Sequence, residues 1–373
     1  MDNDVAVLIV AISARALTSS ARRGGYRPLV TDMFGDQDTL NAAHAHRRLP
    51  GDLASGIDGQ ALITTLETLS RGQKPFGVVC GTGFEDRTQL LRSLAKRWRI
   101  LGNDAEVVAK AKNPQFLSSL CADLGVPFPD ISLLKPAKPD GWLIKRMGGA
   151  GGTHIRSASQ FSNIRGQVYY QRKVSGTAVA ASFLADGKSA TILGYSAQWS
   201  SPAPHQPYRY GGAVRPARLA PRMSDLLSAV VHRITAAMSL VGLNSMDFLV
   251  DGERFWLMEI NPRPGATLDI FETADNSLFA QHVAACTGGR LGDLRHPRGA
   301  TAAEIVYAQD DILSVPALDW PDWTTDRPLA GSTINAGGPV CTVHARGPAV
   351  AGAKALIEKR REAVLTWMRA RSL

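Results

Sequence analysis

The sequence lacks the cysteine spacing of a metal or disulfide framework. Its four cysteines, Cys80, Cys121, Cys286 and Cys341, stand far apart and form no CxxC pair. That speaks against a zinc site or a stapled secreted scaffold and for a reducing cytoplasm. Long apolar runs are also missing. The opening MDNDVAVLIVAI carries acids where a signal peptide carries bases, and its apolar part is too short to span a bilayer, so it reads as a first strand with no membrane association. Low-complexity segments and internal repeats are absent. So is a stripe of bases interleaved with aromatics, although the net charge is +9 over 373 residues and the pI is about 9.6. Basic runs are short, at Arg22-Arg23, Arg47-Arg48 and Lys359-Arg360-Arg361. A small anionic partner explains that charge better than nucleic acid. No Ser-His-Asp or Cys-His pattern offers a covalent nucleophile.

What is present is an ordinary globular composition, 45% hydrophobic and 20% charged, in a chain long enough for two or three domains. The first hundred residues alternate strand and helix. Val5–Ile12 is a continuous apolar strand, Ala14–Gly24 a helix, Arg27–Thr31 a strand with Asp32 at its end. Gly59–Ser70 is a helix, Gly77–Cys80 a strand, Gln89–Trp98 a helix and Arg99–Leu101 a short strand. This pattern predicts a small parallel, Rossmann-like α/β domain over 1–103. A nicotinamide-dependent oxidoreductase would suit Asp32 as a ribose acid, but the turn Ala11-Ile12-Ser13-Ala14-Arg15 has no GxGxxG, so the backbone cannot approach a pyrophosphate. Ser13, Arg15, Asp32 and the loop Gly81–Glu85 remain a candidate substrate edge beside ordinary turn residues.

A linker follows, with Lys112 just ahead of an Asn113 N-cap and Pro114 at the first helical position. Phe116, Leu117, Leu120 and Leu124 fall at helical spacing, stopped by Gly125. The strand Trp142–Arg146 places Lys145 among apolar residues, where an ammonium needs an anion. Gly148, Gly149, Gly151 and Gly152 follow at once, then a return strand from about His154. This glycine loop lacks the GK[ST] of a Walker A motif but can donate backbone N–H groups to a polyphosphate. In the strand Val168–Val174, Gln171, Arg172, Lys173 and Val174 offer a backbone edge suited to a purine. Strands at Gly176–Leu184 and Ala190–Tyr195 come next. The stretch from Trp199 to Pro216, with Arg209, Tyr210, Gly211, Gly212 and Arg215, reads as a long loop, either a mobile substrate lid or plain surface. Ser224 then caps an amphipathic helix with Leu227, Val230, Val231, Ile234, Ala237, Met238 and Val241 inward and Gly242 at its end.

That helix delivers the chain to its most informative stretch, NSMDFLVDGERFWLMEINPRPGATLDI. Met246–Val250 and Arg254–Ile260 are strands joined at Asp251-Gly252, a strong hairpin signal. Simple alternation sets Phe255, Leu257 and Glu259 on one face and Trp256, Met258 and Ile260 on the other. Glu259 and Asn261 share a side of the backbone, with Asp247 opposite when the hairpin closes. Two carboxylates and an amide oxygen with Arg263 beside them form a hard-oxygen site for Mg²⁺ next to a phosphate-binding cation. Solvated surface acids are the bland alternative.

Taken in order, Lys112, Lys145 with its glycine loop, the Gln171 strand and Asp247…Glu259-Ile260-Asn261-Pro262-Arg263 resemble an ATP-grasp enzyme over about residues 103–300. The resemblance implies α+β lobes at 104–167 and 168–300 closing around ATP, after the Rossmann-like domain, with 301–373 packed on the substrate side. Lys112, Lys145 and Gly148–Gly152 would hold phosphates, Gln171–Val174 adenine, and Asp247, Glu259 and Asn261 Mg²⁺, with Mn²⁺ as a substitute. The acid that usually holds the ribose is absent, since Arg172 and Lys173 occupy that neighbourhood. Arg263 and Lys145 would be catalytic, and Glu85, Arg209, Tyr210, Gly211 and Arg215 would meet substrate. The implied activity is an ADP-forming carboxylate–amine ligase working through an acyl phosphate, with a non-catalytic ATP-binding scaffold as the alternative. Its partners would be small-molecule acids and amines, in a cytoplasmic protein for which a homodimer is open. The segments SARRGGYRPLVTDMFGDQDT, CGTGFED, PYRYGGAVRP and GGPVCTVHARG are similar to tyramine–glutamate ligases of one-carbon cofactor biosynthesis, which implies glutamate as the activated acid.

Overall fold

The computed structural model describes residues 4–51, 55–161, 166–292, 294 and 298–370. It begins with β1 (Val5–Val10), α1 (Arg15–Arg23), β2 (Tyr26–Asp32), α2 (Gln37–Ala42), β3 (Ala45–Arg48), α3 (Gly59–Ser70), β4 (Val78–Cys80) and α4 (Thr88–Ala95). The strands form a parallel sheet in the order β3-β2-β1-β4. β1 lies between two neighbours under helices, and Val7–Val10 are wholly buried, which is why its sequence is a continuous apolar run rather than an alternation. Asp58 caps α3 by accepting from the Ala61 amide at 2.7 Å. The strand expected at Arg99–Leu101 is reduced to one parallel bridge between Val78 and Ile100. α2 and β3 were not legible, being short and polar.

Next come α5 (Ala105–Lys112), α6 (Pro114–Asp123), β5 (Ile131–Ser132), β6 (Trp142–Arg146), β7 (Arg156–Ser157) and β8 (Val168–Arg172). Asp104 caps α5 through the amides of Glu106 and Val107, so Lys112 ends a helix rather than lying in a linker. Asn113 caps α6 by accepting from Gln115 and Phe116. The strands make an antiparallel sheet ordered β5-β8-β6-β7. β8 therefore belongs with the strand of Lys145, and a lobe boundary at 167/168 cuts a hydrogen-bonded sheet.

The remainder is β9 (Thr177–Asp186), β10 (Ala190–Ser200), β11 (Tyr210–Arg215), α7 (Pro221–Met238), β12 (Val241–Asp251), β13 (Arg254–Asn261), α8 (Leu268–Phe271), α9 (Leu278–Thr287), β14 (Ala300–Tyr307), β15 (Thr324–Thr325), β16 (Pro339–Gly347) and α10 (Val350–Ala370). One sheet of order β13-β12-β9-β10-β11-β14-β16-β15 unites all eight strands. Residues after 300 thus continue the main sheet through β14, β15 and β16, with α10 packed against it. The supposed loop 199–216 contains β11, which pairs with β10 and β14; its two glycines and Pro216 masked a strand. α7 starts at Pro221 with Ala220 as N-cap and no capping side chain, and turns off at Ser239 in the left-handed region. Ser224 is therefore inside the helix, Ala237 is exposed, and Val241 and Gly242 already belong to β12. Leu227, Val230, Val231, Ile234 and Met238 pack on Phe183, Phe248 and Leu257 of the sheet. Each such side chain contributes about 1.5–3 kcal/mol on full burial, which holds the sheet that carries the acids.

Candidate active site

The acids sit where the pattern of β13 breaks. Asp247 pairs with Glu259 and Ser245 with Asn261, but Phe248 pairs with Leu257, so Met258 is an extra residue bulged from the ladder. A bulge reverses the side-chain phase. Phe255, Leu257 and Ile260 consequently all enter the core under α7, while Glu259 and Asn261 turn to the opposite face. Simple alternation had grouped Glu259 with Phe255 and Leu257, and the bulge corrects that.

Two carboxylates facing each other across strands repel, and a cation between them offsets this. Lys112 Nζ reaches Glu259 Oε1 at 2.5 Å and Asn261 Oδ1 at 2.9 Å. Asn261 Nδ2 donates to Asp247 Oδ2 at 2.9 Å, and Gln198 Nε2 approaches Asp247 Oδ1 at 3.5 Å. Burial first, and the Glu259 charge second, push the Asp247 carboxyl above its usual range. Burial acts upward on Glu259 as the largest single influence, but Lys112, with smaller contributions from His154 and Lys145, brings the net shift down. Asn103 anchors the backbone on both sides of these residues. Its amide nitrogen donates to the carbonyls of Val241 and Pro262 and to Asn244, and its oxygen accepts from Val241 N.

Across a cleft of about 450 Å³ stands the other half. It is lined by Lys112, Lys145, Gly148, Gly149, His154, Tyr169 and Glu259 among others. Lys145 is 7% exposed, and its ammonium meets Gln171 Oε1 at 2.6 Å. Burial pushes its pKa down to about 8, against the pull of Glu259 and Asp247. Among the described residues Gln171 Nε2 and His154 Nδ1 are buried without a hydrogen-bond partner. Burial also lowers His154 to about 4, leaving the ring neutral. Orphaned polar atoms around an under-neutralised ammonium are what a site for a polar anion presents when its ligand is not counted.

The glycine loop is pinned at both ends. Tyr210 N donates to Gly151 O at 2.9 Å. Gly148, Gly151 and Gly152 have φ between 67° and 70°, where side chains other than glycine are strained. A Cβ on Gly152 would collide with the Tyr208 carbonyl, and one on Gly148 would lie 2.7 Å from Glu85 O. The loop so touches the end of β4, where Glu85 Oε1 accepts from Arg263 Nε at 2.7 Å and Oε2 accepts from the Gly83 and Phe84 amides. Burial works against the Glu85 carboxylate, yet Arg263, Lys112 and the Gly83 amide hold it down at about 2.

Other candidates fall differently. In the purine edge the amides of Arg172 and Lys173 already donate to Asp130 O and Gly141 O, each at 2.8 Å. The Arg172 guanidinium lies 5.7 Å over Trp142. Val174 N makes no such backbone bond among the described residues. Arg209 binds the Ser201 and Gly337 carbonyls and stacks 3.6 Å over Tyr307. Arg215 binds Gly299 O, Thr301 Oγ1 and Ile270 O. These guanidinia tie strands and loops together rather than facing the cleft, while Tyr210 and Gly211 are parts of β11. Asp32 is fully buried on the Ala14 and Gly35 amides and His46, closed to a ribose. His154, Gln198 and Tyr169 went unread, since a single polar residue on a strand or loop carries no spacing signal.

A small parallel sheet, an antiparallel lobe bearing lysine and a glycine loop, and a large sheet bearing facing acids across the cleft define the ATP-grasp fold. Residues 113–267 match the ATP-grasp domain family. Across nearly the whole chain the protein is similar to biotin carboxylase of Campylobacter jejuni in complex with β-γ-ATP, at 14% identity and TM-score 0.73, covering 97% of this chain and 95% of that one. N5-carboxyaminoimidazole synthetase of Staphylococcus aureus superposes with TM-score 0.70 at 15% identity, covering 97% and 98%. The biotin carboxylase domain of Hydrogenobacter thermophilus 2-oxoglutarate carboxylase, solved with MgADP and bicarbonate, gives TM-score 0.71 at 12% identity, covering 92% and 86%. At such identities the likeness is one of fold. Among the described residues no helix is long and apolar enough to cross a membrane.

Proposed function

We propose that the protein is an ATP-dependent carboxylate–amine ligase that forms an amide through an acyl phosphate. The carrying observation is Lys145, a buried ammonium whose one hydrogen-bond partner among the described residues is a glutamine, set across the cleft from the Lys112–Glu259–Asn261 cluster. A triphosphate would complete its charge. The donor set also fits Mg²⁺. Glu259, Asn261 and Asp247 offer hard oxygens, and the Lys112 ammonium already lies against two of them as a cation would. Bound there, the ion would neutralise phosphate charge.

The chain's own groups account for the rest. Lys145 and Lys112 would hold the β- and γ-phosphates, the Gly148–Gly152 amides would cover them, and the Val174 edge would meet adenine. A substrate carboxylate oxygen attacks the γ-phosphorus, and the bond to ADP breaks. Arg263, fixed by Glu85, stabilises the negative charge spread over the transferring group. The amine nitrogen then attacks the acyl carbon, phosphate leaves, and the amine loses a proton. The glycine loop's contacts with the end of β4 and the start of β11 exclude water from this intermediate. The four segments similar to tyramine–glutamate ligases favour glutamate as the first acid to try.

The test is Mg²⁺-dependent ADP release measured against a panel of acids and amines, with Glu259→Ala as control. The ligase reading expects ADP only when both acid and amine are present, falling at least 100-fold in the variant. ATP binding without substrate-dependent ADP would instead mark a non-catalytic scaffold.

A further inference from the structure

The glycine loop carries a side chain for which the ligase chemistry has so far no use. His154 follows Gly152 by two residues, where the backbone turns back through a bond from Ile155 N to Gly152 O at 3.2 Å. Its ring lies on Gly149. A Cβ placed on that glycine would stand 2.5 Å from Cγ and Nδ1 of the imidazole and 2.6 Å from Cδ2. Three ring atoms at nearly equal distance mean that the ring meets the backbone face-on. Gly148, Gly151 and Gly152 have positive φ and Gly149 does not. Gly149 is therefore a glycine for another reason: the imidazole takes the space of a side chain. This seat fixes the plane of the ring and the direction in which its nitrogens point.

The Nδ1 atom is shut off from solvent and has no hydrogen-bond partner among the described residues. The ring lines the cleft together with Lys145 and Glu259. Burial keeps it neutral, and after burial its strongest electrostatic neighbours are Glu259, Lys145, Arg146 and Lys112. It thus stands between the metal-binding acids and the phosphate-binding lysines. A neutral imidazole has one N–H, and an anion in the cleft selects the tautomer that donates. The loop is short of a donor at this point, because Gly149 N is already given to Arg146 O at 3.2 Å. A triphosphate between Lys145 and Glu259 presents its β- and γ-oxygens there.

We infer that His154 donates a hydrogen bond through Nδ1 to the β–γ end of the bound nucleotide's triphosphate, so that the loop holds phosphate through a side chain as well as through amides. The inference rests on the ATP-site reading above and is independent of which acid and amine are joined. The ring supplies a hydrogen bond and no charge. Asn in its place would put Nδ2 as many bonds from the backbone as Nδ1, whereas Phe keeps the ring and loses the donor.

The experiment is calorimetric titration of the full chain and of His154→Asn, His154→Phe and His154→Leu with MgATP at pH 7.5. A lost hydrogen bond to a charged phosphate should raise Kd at least tenfold in the Phe and Leu variants, while the Asn variant stays within threefold of the parent. Other roles give other orders. A ring needed only to pack on Gly149 would spare Phe and penalise Asn and Leu, and simple obstruction of the cleft would penalise Phe alone; either result overturns the contact, as does an unchanged Kd in all three. In those cases the parent still binds MgATP and the ATP site stands. A parent that binds no MgATP removes the ATP site itself, and this contact with it.

Discussion

Replacing Lys145 by Met should make the ligand-free protein more stable at neutral pH while abolishing ATP binding. Burial lowers the Lys145 pKa to about 8, against about 10.4 for an exposed lysine. Below pH 8 both folded and unfolded states carry the charge, and folding bears the full cost of desolvating it, on the order of 3 kcal/mol at 1.4 kcal/mol per pH unit. As pH rises from 8 toward 10, the folded state releases its proton while the unfolded chain keeps one. Stability on this group's account then rises with pH. Met fills similar volume without a charge but leaves Gln171 Oε1 without its donor, a cost of about 1–3 kcal/mol that does not vary with pH.

The decisive quantity is therefore a double difference, the Tm of Lys145→Met minus that of the parent, measured at pH 7 and at pH 10. Between these pH values the advantage of the variant should shrink by about 2–3 kcal/mol. With an unfolding entropy near 2 cal/mol/K per residue, that is about 3 °C for a chain of this size. An advantage that stays constant from pH 7 to 10, or grows, would show that Lys145 is not held as an under-neutralised cation and would refute the argument for an anion site. Saturating MgATP should reverse the ranking at pH 7, since only the parent binds it.

Other perturbations test the neighbouring parts. Glu85→Gln removes an ion pair whose carboxyl sits at about 2. Its stabilisation is complete above the unfolded pKa near 4.3 and is lost as pH falls toward 2, so the Tm deficit of the variant should be largest at pH 6–7 and close as pH approaches 3. A deficit independent of pH would mean packing alone. Gly152→Ala, at φ 70° against the Tyr208 carbonyl, should raise the Kd for MgATP tenfold or more with a smaller effect on Tm; wild-type affinity by calorimetry would remove the glycine loop from the phosphate site. Asn103→Ala leaves the Pro262 carbonyl and the Val241 amide unpaired and should cost about 2–4 kcal/mol, read as a fall in Tm, whereas an unchanged Tm would deny Asn103 its anchoring role.

How much of this was legible depends on the range over which each signal acts. The N-cap and Pro of α6, the apolar run of β1 and the Asp251-Gly252 turn are local chemistry, and each appears where the sequence puts it. β11 was missed because its glycines imitate a loop; Gly212 is there because a side chain would strike the Ala303 carbonyl and Trp199, both remote in sequence. α5, with the sequence AEVVAKAK, is short and mixes small and charged side chains, so no apolar stripe marks it ahead of Lys112. The acids that Arg15 grips, Asp269 and Asp326, lie 254 and 311 positions away from it, and no spacing rule joins them. The site hairpin shows the limit most clearly. Strict alternation along β13 assigns Glu259 to the face of Phe255 and Leu257, which α7 covers with apolar side chains. Had the strand obeyed it, the carboxylate would lie in the core, unpaired and strongly destabilising. Met258 absorbs one position, Ile260 takes the core place instead, and Glu259 turns toward Lys112. The break in the pattern is therefore the functional feature, and because Leu257 already faces Phe248 and Glu259 faces Asp247, deletion of Met258 should leave an unbroken ladder with Glu259 still on the cleft side.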